Sequence, residues 1–281
     1  MFDKKDIKVI AIDFDGTLLQ KDHIWISPRN MHALKECQKR GILCIPCTGR
    51  PFDMFPPQIH DDPSFRYAIT CCGARIIDRE TNTLIYKDGY TPEQTAAICR
   101  LFEGQGVYAE VTAGEHIYFE QSVLDELWKY QVPAHHVWYA VSDRPVGVQG
   151  KLSDFFMTHN IGADKFNLYG VPDAVRTTIR ANMAALASTD FNDDDVYAIQ
   201  LMFQAKDPLK PIQVLLDHLG YTFDNVMSIG DTSWLDSMMA KHAAFSVTLE
   251  NGSQAMKDLC DYTTDSCDKD GFAKAVEKFI L

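Results

Sequence analysis

The sequence predicts an α/β fold with an open, mostly parallel sheet and an inserted α+β region. Three observations support this: short apolar strands alternate with helices near the start, the same alternation returns after residue 205, and the middle of the chain differs in composition. Such alternation is typical of βαβ units, whose parallel strands are buried on both faces. With 281 residues, 46% of them hydrophobic, the chain can form one large or two modest domains.

The first βαβ unit lies at the N-terminal end. The run "IKVIAI", from Ile7 to Ile12, is β-branched and too short for a helix, which indicates a buried strand. In "SPRNMHALKECQKRG", Ser27 suits the N-cap, Pro28 suits the first turn, and Gly41 suits the end of a helix. The strand "ILCIPC" follows, and a right-handed crossover makes the two strands parallel.

The C-terminal part repeats this pattern. It predicts helices at "PLKPIQVLLDHLG", "LDSMMAKHA" and "GFAKAVEKFI", separated by the strands "VMSI" and "AFSVT". Between about Thr83 and Asp195 the chain is richer in aromatic residues and mixes short strands with helices. The polar stretch "STDFNDDDVYAI" suits the return from an insert. We therefore expect a core formed by 1–83 and 196–281, with an insert at 84–195.

Charge and terminal sequence exclude several kinds of partner. The formal net charge of -12 argues against nucleic acid or an anionic membrane, because both need clustered lysine and arginine. The N-terminus "MFDKKDIKVI" has no charged region followed by a long apolar run, and no stretch approaches the ~18 apolar residues of a membrane span. We expect a cytoplasmic protein. The sequence does not define its oligomeric state.

Cysteines and histidines do not form a recognisable metal motif. Cys44 and Cys47 make a single CxxC without a second pair, so we interpret them as free thiols of a buried strand and not as zinc ligands. His135 and His136 are isolated from other metal-binding residue types, and we interpret them as surface or packing histidines.

Candidate chemistry begins where the first strand ends, in "AIDFDGTLL". Asp13 and Asp15 stand two residues apart at the carboxyl edge of a parallel sheet, where ligands bind in open α/β folds. Such close carboxylates repel unless a cation or a shared proton relieves them, and a hard divalent ion such as magnesium (Mg2+) prefers oxygen ligands. The alternative is that the two aspartates only cap the following turn. A second acidic loop, "VMSIGDTSWLDSMM", places Asp231 and Asp236 after a later strand.

Four ordered segments give a family resemblance: "DFDGTLL", "CTGR", a lysine ahead of a helix, and "IGD". They resemble the four motifs of the haloacid dehalogenase superfamily. The helix after the first motif, "AITCCGARI" and "CDYTTDSCDKDGFAKAV" are similar to the Cof-type sugar-phosphate phosphatases of that superfamily. The resemblance implies a Rossmannoid three-layer core with an inserted α/β cap. It also implies a magnesium-dependent phosphatase whose partner is a small phosphate ester, most simply a sugar phosphate.

The resemblance also implies residue roles. Asp13 matches the nucleophile that forms an aspartyl-phosphate, and Asp15 matches the general acid and base. The family's magnesium ligands match Asp13, the backbone carbonyl of Asp15, and Asp231, with Asp236 left open. The family's phosphate-binding residues match three residues of the second motif and one lysine: Thr48, Gly49, Arg50 and Lys210. An N-cap role for Thr48 and a surface position for Arg50 stay as alternatives.

The lysine of the third motif has two candidates in "QAKDPLKPIQVLLDHLG". Related sequences place it ten residues before the glycine that ends the helix, which selects Lys210 (220 - 10 = 210) over Lys206. Only 35 residues separate Asp13 from Thr48, whereas 162 separate Thr48 from Lys210. The insert therefore falls in the second interval, where family members carry a cap that excludes water and selects the substrate.

Two departures from the family pattern keep alternative functions open. Cys72 replaces the asparagine of a T-x-N-G-A motif, and a thiol is a weak hydrogen-bonding group. Trp234 and Leu235 occupy the N-D positions of G-D-G-x-N-D, so Asp236 comes five residues after Asp231 and not four. A helical offset of ~100° per residue would turn its carboxylate away from the usual position. A weakened, metabolite-binding or regulatory protein and a phosphomutase are the alternatives to a phosphatase.

Overall fold

The computed structural model describes residues 6–183, 189–192, 198–203, 209–231 and 234–281. The strands are β1 (Val9–Ile12), β2 (Leu43–Pro46), β3 (Tyr67–Thr70), β4 (Arg75–Asp78), β5 (Thr83–Lys87), β6 (Tyr108–Ala113), β7 (His116–Glu120), β8 (Val146–Val148), β9 (Lys165–Tyr169), β10 (Thr189–Asn192), β11 (Ala198–Phe203), β12 (Val226–Ile229), β13 (Phe245–Leu249) and β14 (Tyr262–Thr264).

The α-helices are α1 (Pro28–Lys39), α2 (Pro57–His60), α3 (Pro92–Phe102), α4 (Gln121–Asp125), α5 (Ala134–Ala140), α6 (Leu152–His159), α7 (Asp173–Met183), α8 (Lys210–Leu219), α9 (Trp234–His242), α10 (Gln254–Leu259) and α11 (Gly271–Phe279). Within the described stretches, no helix has both the length and the apolar character needed to cross a bilayer.

Contacts divide the chain into two units. One comprises Met1–Gly49, Phe55–Tyr86 and Asp207–Leu281, and the other comprises Arg50–Met54 and Lys87–Lys206.

A parallel sheet organises the first unit. Its strand order is β14-β13-β12-β1-β2, and each neighbouring pair is parallel. β1 and β12 are fully buried along their lengths, as expected of central parallel strands. A bridge between Cys47 and Ile69 links the end of β2 to β3, the first strand of a smaller β3-β4-β5 sheet. The predicted α/β fold with a mostly parallel sheet is confirmed.

The capping residues of α1 agree with the sequence prediction. Ser27 accepts a hydrogen bond from the Asn30 backbone N–H at 3.1 Å, and Pro28 is the first helical residue. Gly41, with φ +74°, lies just beyond the helix end. The helix therefore brings the chain back to start β2 beside β1.

A second, mostly antiparallel sheet organises the other unit, in the order β10-β11-β9-β6-β7-β8. β11 pairs with β9 over residues 198–202, so these residues belong to the sheet of the insert. Most of β5, in contrast, belongs to the first unit. The division therefore differs from the expected limits at 83/84 and 195/196. The chain leaves the insert later than expected because β11 is hydrogen-bonded into the insert's sheet.

Candidate active site

Asp13 and Asp15 lie where β1 ends and the chain leaves the sheet. The Asp13 backbone N–H donates to the Ile229 carbonyl at 3.0 Å, which continues the pairing of β1 with β12. A π-helical turn, Phe14–Leu18, follows, and its backbone is non-helical at Asp15 and at Gly16. Both aspartates thus stand at the carboxyl edge of the parallel sheet, where open α/β folds bind ligands.

Gly16 allows a close approach between this turn and the loop after β12. Its φ of +81° is in the left-handed region, and a Cβ at this position would collide with the Asp231 carboxylate. Asn251 donates from Nδ2 to the Gly16 carbonyl at 2.7 Å, which fixes the turn from the other side. The Asp231 carboxylate therefore packs directly against the backbone of the first acidic motif.

Asp236 turns back toward Asp231. Its Oδ2 accepts a hydrogen bond from the Asp231 backbone N–H at 3.2 Å, and its side chain fills the space beside Gly230. The Asp236 carboxylate therefore lies beside Asp231 although five residues separate the two in sequence. The turn away from Asp231 that a helical offset of ~100° per residue would give is not observed.

Three aspartates form a buried group that we call the carboxylate cluster: Asp13, Asp231 and Asp236. One carboxylate oxygen from each lies within 4.8 Å of the other two. Their side chains are almost inaccessible, whereas that of Asp15 is 36% exposed. The structure thus brings together three of the four predicted metal-ligand residues. The side chain of Asp15 is not in the group, and a contribution through its backbone carbonyl stays a prediction.

The electrostatics of the cluster are unfavourable without a cation. Burial raises the pKa of Asp13 well above its ordinary value, and the negative charges of Asp236, Asp15 and Asp231 raise it further. A hydrogen bond from the Phe14 backbone opposes this rise only in part. Buried like charges either take up a proton or bind a cation. An all-oxygen donor set of this kind fits a hard divalent ion such as magnesium.

Thr48 follows β2 at the same edge of the sheet. Its backbone N–H donates to the Ile69 carbonyl at 3.0 Å, and its carbonyl accepts from the Cys72 N–H at 3.1 Å. Cys71 and Cys72 have φ of +53° and +57°, so both adopt the left-handed conformation that asparagine tolerates better. The Cys72 backbone N–H therefore holds Thr48, and this hydrogen bond does not depend on the Cys72 side chain.

Gly49 and Arg50 lie on either side of the division between the two units. Arg50 is buried, and its guanidinium donates from Nη1 to the Met54 carbonyl at 3.1 Å. The structure therefore does not place Arg50 on the surface, which was the alternative to a phosphate-binding role.

Lys210 begins α8 and is exposed. Its ammonium lies 5.8 Å from the centroid of the Tyr86 ring. Pro211 occupies the first helical turn, as expected for the residue that replaces the family's glycine. The alternative lysine, Lys206, lies outside the described residues. A role of Lys210 in neutralising a phosphoryl group stays a prediction.

Leu235 and the CxxC cysteines are part of the core. Leu235 packs into the apolar cluster formed by β1, β12 and α8. Cys44 and Cys47 are buried free thiols. Burial, followed by the negative charges of Asp236 and Asp13, raises the pKa of Cys47, so this thiol stays protonated beside the carboxylate cluster. The cysteines therefore contribute packing at the base of the site.

Two contacts of the first motif were not predicted from the sequence. His23 hydrogen-bonds through Nδ1 to Asp15 Oδ1 at 2.8 Å, and Asn251 holds Gly16 as described above. The sequence positions of His23 and Asn251 do not identify these contacts, because both contacts depend on how loops fold over the sheet edge.

The second unit contains a buried polar network that the sequence analysis also missed. His136 Nδ1 lies 2.8 Å from Glu110 Oε1, Tyr169 meets the other ring nitrogen at 2.8 Å, and Asn167 donates to Glu110 Oε2 at 3.0 Å. Burial alone would raise the pKa of Glu110, but the charge of His136 and these hydrogen bonds outweigh it and lower the pKa. His136 is thus a buried, hydrogen-bonded residue and not a surface histidine. A glutamate within the apolar strand "GVYAEV" was the signal for this network.

Comparisons with known proteins agree with this fold. The family model for haloacid dehalogenase-like hydrolases matches residues 10–276. A 5-amino-6-(5-phospho-D-ribitylamino)uracil phosphatase from Bacillus subtilis is 24% identical over 279 residues, covering 98% of this chain and 97% of the relative. A phosphoglycolate phosphatase from Methanothermobacter thermautotrophicus is 24% identical over 275 residues, covering 98% and 99%.

Solved structures share the fold. A haloacid dehalogenase-like hydrolase from Bacteroides thetaiotaomicron superposes with a TM-score of 0.80 at 23% identity, covering 97% of this chain and 99% of the other. A subclass IIB sugar phosphatase superposes with a TM-score of 0.73 at 20% identity, covering 98% and 100%. The chain belongs to the haloacid dehalogenase-like hydrolases. The predicted resemblance to this superfamily and its Cof-type members, and the prediction of a phosphatase, are confirmed.

Proposed function

We propose that the protein is a magnesium-dependent phosphatase that hydrolyses a small phosphorylated metabolite, a sugar phosphate, through an aspartyl-phosphate on Asp13. The observation that carries the proposal is the carboxylate cluster, which sits at the carboxyl edge of β1 and β12 beside Asp15. A buried group of three carboxylates is costly to a fold, and a recurring reason to keep one is that it binds a cation.

Asp13, Asp231 and Asp236 are the residues that would hold magnesium through their side chains, with the Asp15 carbonyl as a further oxygen ligand. When bound, the ion offsets the negative charges of these carboxylates and of the substrate's phosphate. The carboxylate cluster fits this assignment because its donors are all oxygen and because burial, followed by the neighbouring negative charges, raises the pKa of Asp13.

In the first step, an Asp13 carboxylate oxygen attacks phosphorus and the bond to the leaving oxygen breaks. Asp15 donates a proton to that oxygen, so the product leaves as a neutral alcohol. In the second step, Asp15 removes a proton from water, the water oxygen attacks phosphorus, and inorganic phosphate leaves Asp13. Both residues return to their starting states. The 36% exposure of Asp15 is compatible with access to substrate and water.

Thr48 is proposed to donate a hydrogen bond from its hydroxyl to the transferring phosphoryl group. Gly49 and Arg50, from the same motif, are proposed to help bind the phosphate. Lys210 is proposed to offset the phosphoryl charge. The second unit, residues 87–206 with the short Arg50–Met54 segment, is proposed to act as the cap. The proposed substrate class follows the relatives, which are named for a phosphorylated ribityl compound, phosphoglycolate and sugar phosphates.

The position of Asp236 favours this function over a weakened, metabolite-binding relative. That alternative rested on Cys72 and on Trp234 and Leu235, which displace the second aspartate by one residue to Asp236. The carboxylate of Asp236 joins the carboxylate cluster despite the longer interval, and Cys72 keeps its backbone bond to Thr48.

A panel of phosphate esters tests the proposal, with phosphate release measured in the presence of magnesium. We expect the wild-type protein to release the alcohol and inorganic phosphate, with inorganic phosphate as the sole phosphorus-containing product. Asp13→Asn should lower the rate by ~10^3-fold or more, because it removes the nucleophile. Asp217→Asn, an exposed position on α8, makes the same charge change and should have no effect. Activity that survives in Asp13→Asn would refute the mechanism, and transfer of phosphate to a second sugar would indicate a mutase.

A further inference from the structure

Asp15 has a side-chain partner that the family motifs do not contain. His23 Nδ1 lies 2.8 Å from Asp15 Oδ1, within hydrogen-bond distance, and the two side chains are 37% and 36% exposed. The contact joins residues eight apart in sequence, across the hairpin that follows the first motif. A partly exposed aspartate with two rotatable side-chain bonds would otherwise sample several rotamers.

His23 is held by its own backbone. It adopts φ +58°, a left-handed conformation that is uncommon for residues other than glycine, asparagine and aspartate. Its N–H donates to the Gln20 carbonyl at 2.9 Å, and the Gln20 N–H donates to the Trp25 carbonyl at 2.8 Å. Asp22 Oδ1 accepts from the Trp25 N–H at 3.0 Å. These bonds close the hairpin tip and leave the imidazole pointing at Asp15.

The hairpin is also attached to the rest of the first unit. Gln20 donates from Nε2 to the Cys267 carbonyl at 3.1 Å, and the Lys21 N–H donates to Asp268 Oδ1 at 2.9 Å. Its two arms meet in an antiparallel bridge between Leu19 and Ile26. The position of the His23 backbone is therefore set by contacts that do not involve Asp15.

We propose that His23 is a positioning residue for Asp15, holding its carboxyl group in the orientation needed for proton transfer to the leaving oxygen. This inference rests on the proposed function. A hydrogen bond to Oδ1 fixes the plane of the carboxyl group, and proton transfer needs only one of its two oxygens. Misplacement of a catalytic group by as little as 1 Å can cost ~10^2-fold in rate, so a restraint of this kind is worth a measurable factor.

The test uses two variants of the full chain. His23→Gly removes the imidazole and suits the left-handed φ, so the hairpin is not strained. His23→Asn also tolerates that φ, and its Nδ2 replaces Nδ1 as a donor at a similar distance from the backbone. The kcat/KM of each is measured with an alkyl phosphate that the wild type hydrolyses and with p-nitrophenyl phosphate, whose leaving group needs no proton.

We expect His23→Gly to lower kcat/KM for the alkyl phosphate about tenfold or more, and to change kcat/KM for p-nitrophenyl phosphate less than about threefold, because only the first reaction needs a general acid. His23→Asn should recover most of the loss. Equal losses with both substrates, no loss with either, or no recovery in His23→Asn would overturn the inference. Absence of wild-type activity on every phosphate ester of the panel would instead refute the proposed function itself.

Discussion

Asp236→Asn is the substitution that tests the carboxylate cluster most sharply. Asparagine has nearly the same shape as aspartate, and its Oδ1 can still accept the hydrogen bond from the Asp231 backbone N–H. The change therefore removes one negative charge from the buried cluster with little loss of packing. Among the neighbouring charges that raise the pKa of Asp13, Asp236 has the largest effect.

The size of the expected stability change follows from the distances between the carboxylates of the cluster. Two unit charges at the 4.8 Å limit of the cluster repel by about 3.5 kcal/mol at an effective dielectric constant near 20. Partial protonation of Asp13 relieves some of this repulsion in the metal-free protein. We therefore expect Asp236→Asn to stabilise the metal-free protein by about 1–3 kcal/mol, or roughly 2–6 °C in the thermal midpoint.

With magnesium bound, we expect the wild type to be more stable than Asp236→Asn, which reverses the order of the metal-free proteins. A ligand at a hundred times its dissociation constant stabilises the folded state by about 2.7 kcal/mol, so the wild type should gain several degrees and Asp236→Asn much less. Thermal midpoints are measured with a chelator and with saturating magnesium, and Asp217→Asn serves as the matched control. If Asp236→Asn destabilises the metal-free protein, or if its magnesium response equals that of the wild type, the assignment of Asp236 to a cation site is wrong.

Three further predictions concern neighbouring features. Gly16→Ala should abolish magnesium-dependent phosphate release and lower the thermal midpoint, because the methyl group collides with the Asp231 carboxylate and the left-handed φ costs about 1–2 kcal/mol; wild-type rates would contradict this. Cys72→Asn should raise stability by about 0.5–1 kcal/mol in urea unfolding, because asparagine suits φ +57° better; a lower midpoint would count against strain at this position. Glu110→Gln should cost about 1–3 kcal/mol at neutral pH, since it weakens the bonds to His136. The folded pKa of Glu110 lies below its ordinary 4.5, so its contribution is full above that pH and is lost as pH falls through the folded pKa; the variant should lack this acid-dependent loss.

The sequence predicted the features that depend on local pattern. The strand "VMSI" is β12 without change, and Ser27 and Pro28 begin α1 as expected. These predictions hold because the burial of a short β-branched run and the capping of a helix are decided by adjacent residues. The carboxyl-edge position of Asp13 and Asp231 then follows from parallel pairing alone.

Features that depend on loop paths could not be predicted. The five-residue spacing left open whether the Asp236 carboxylate turns away from Asp231, and only the folded chain shows that it faces Asp231. The return of the insert was placed at residue 196 because its polar residues suggest a hinge, yet β11 continues the insert's sheet. The contact of His23 with Asp15 depends on tertiary folding, and no local spacing identifies it.

Acid quench of a single turnover with radiolabelled phosphate ester and magnesium tests whether a covalent intermediate forms on Asp13. We expect transient label on the protein that hydroxylamine removes, as is typical of an acyl phosphate, and no label on Asp13→Asn. Phosphate release by the wild type without any protein-bound label at early times, or equal labelling of Asp13→Asn, would contradict it.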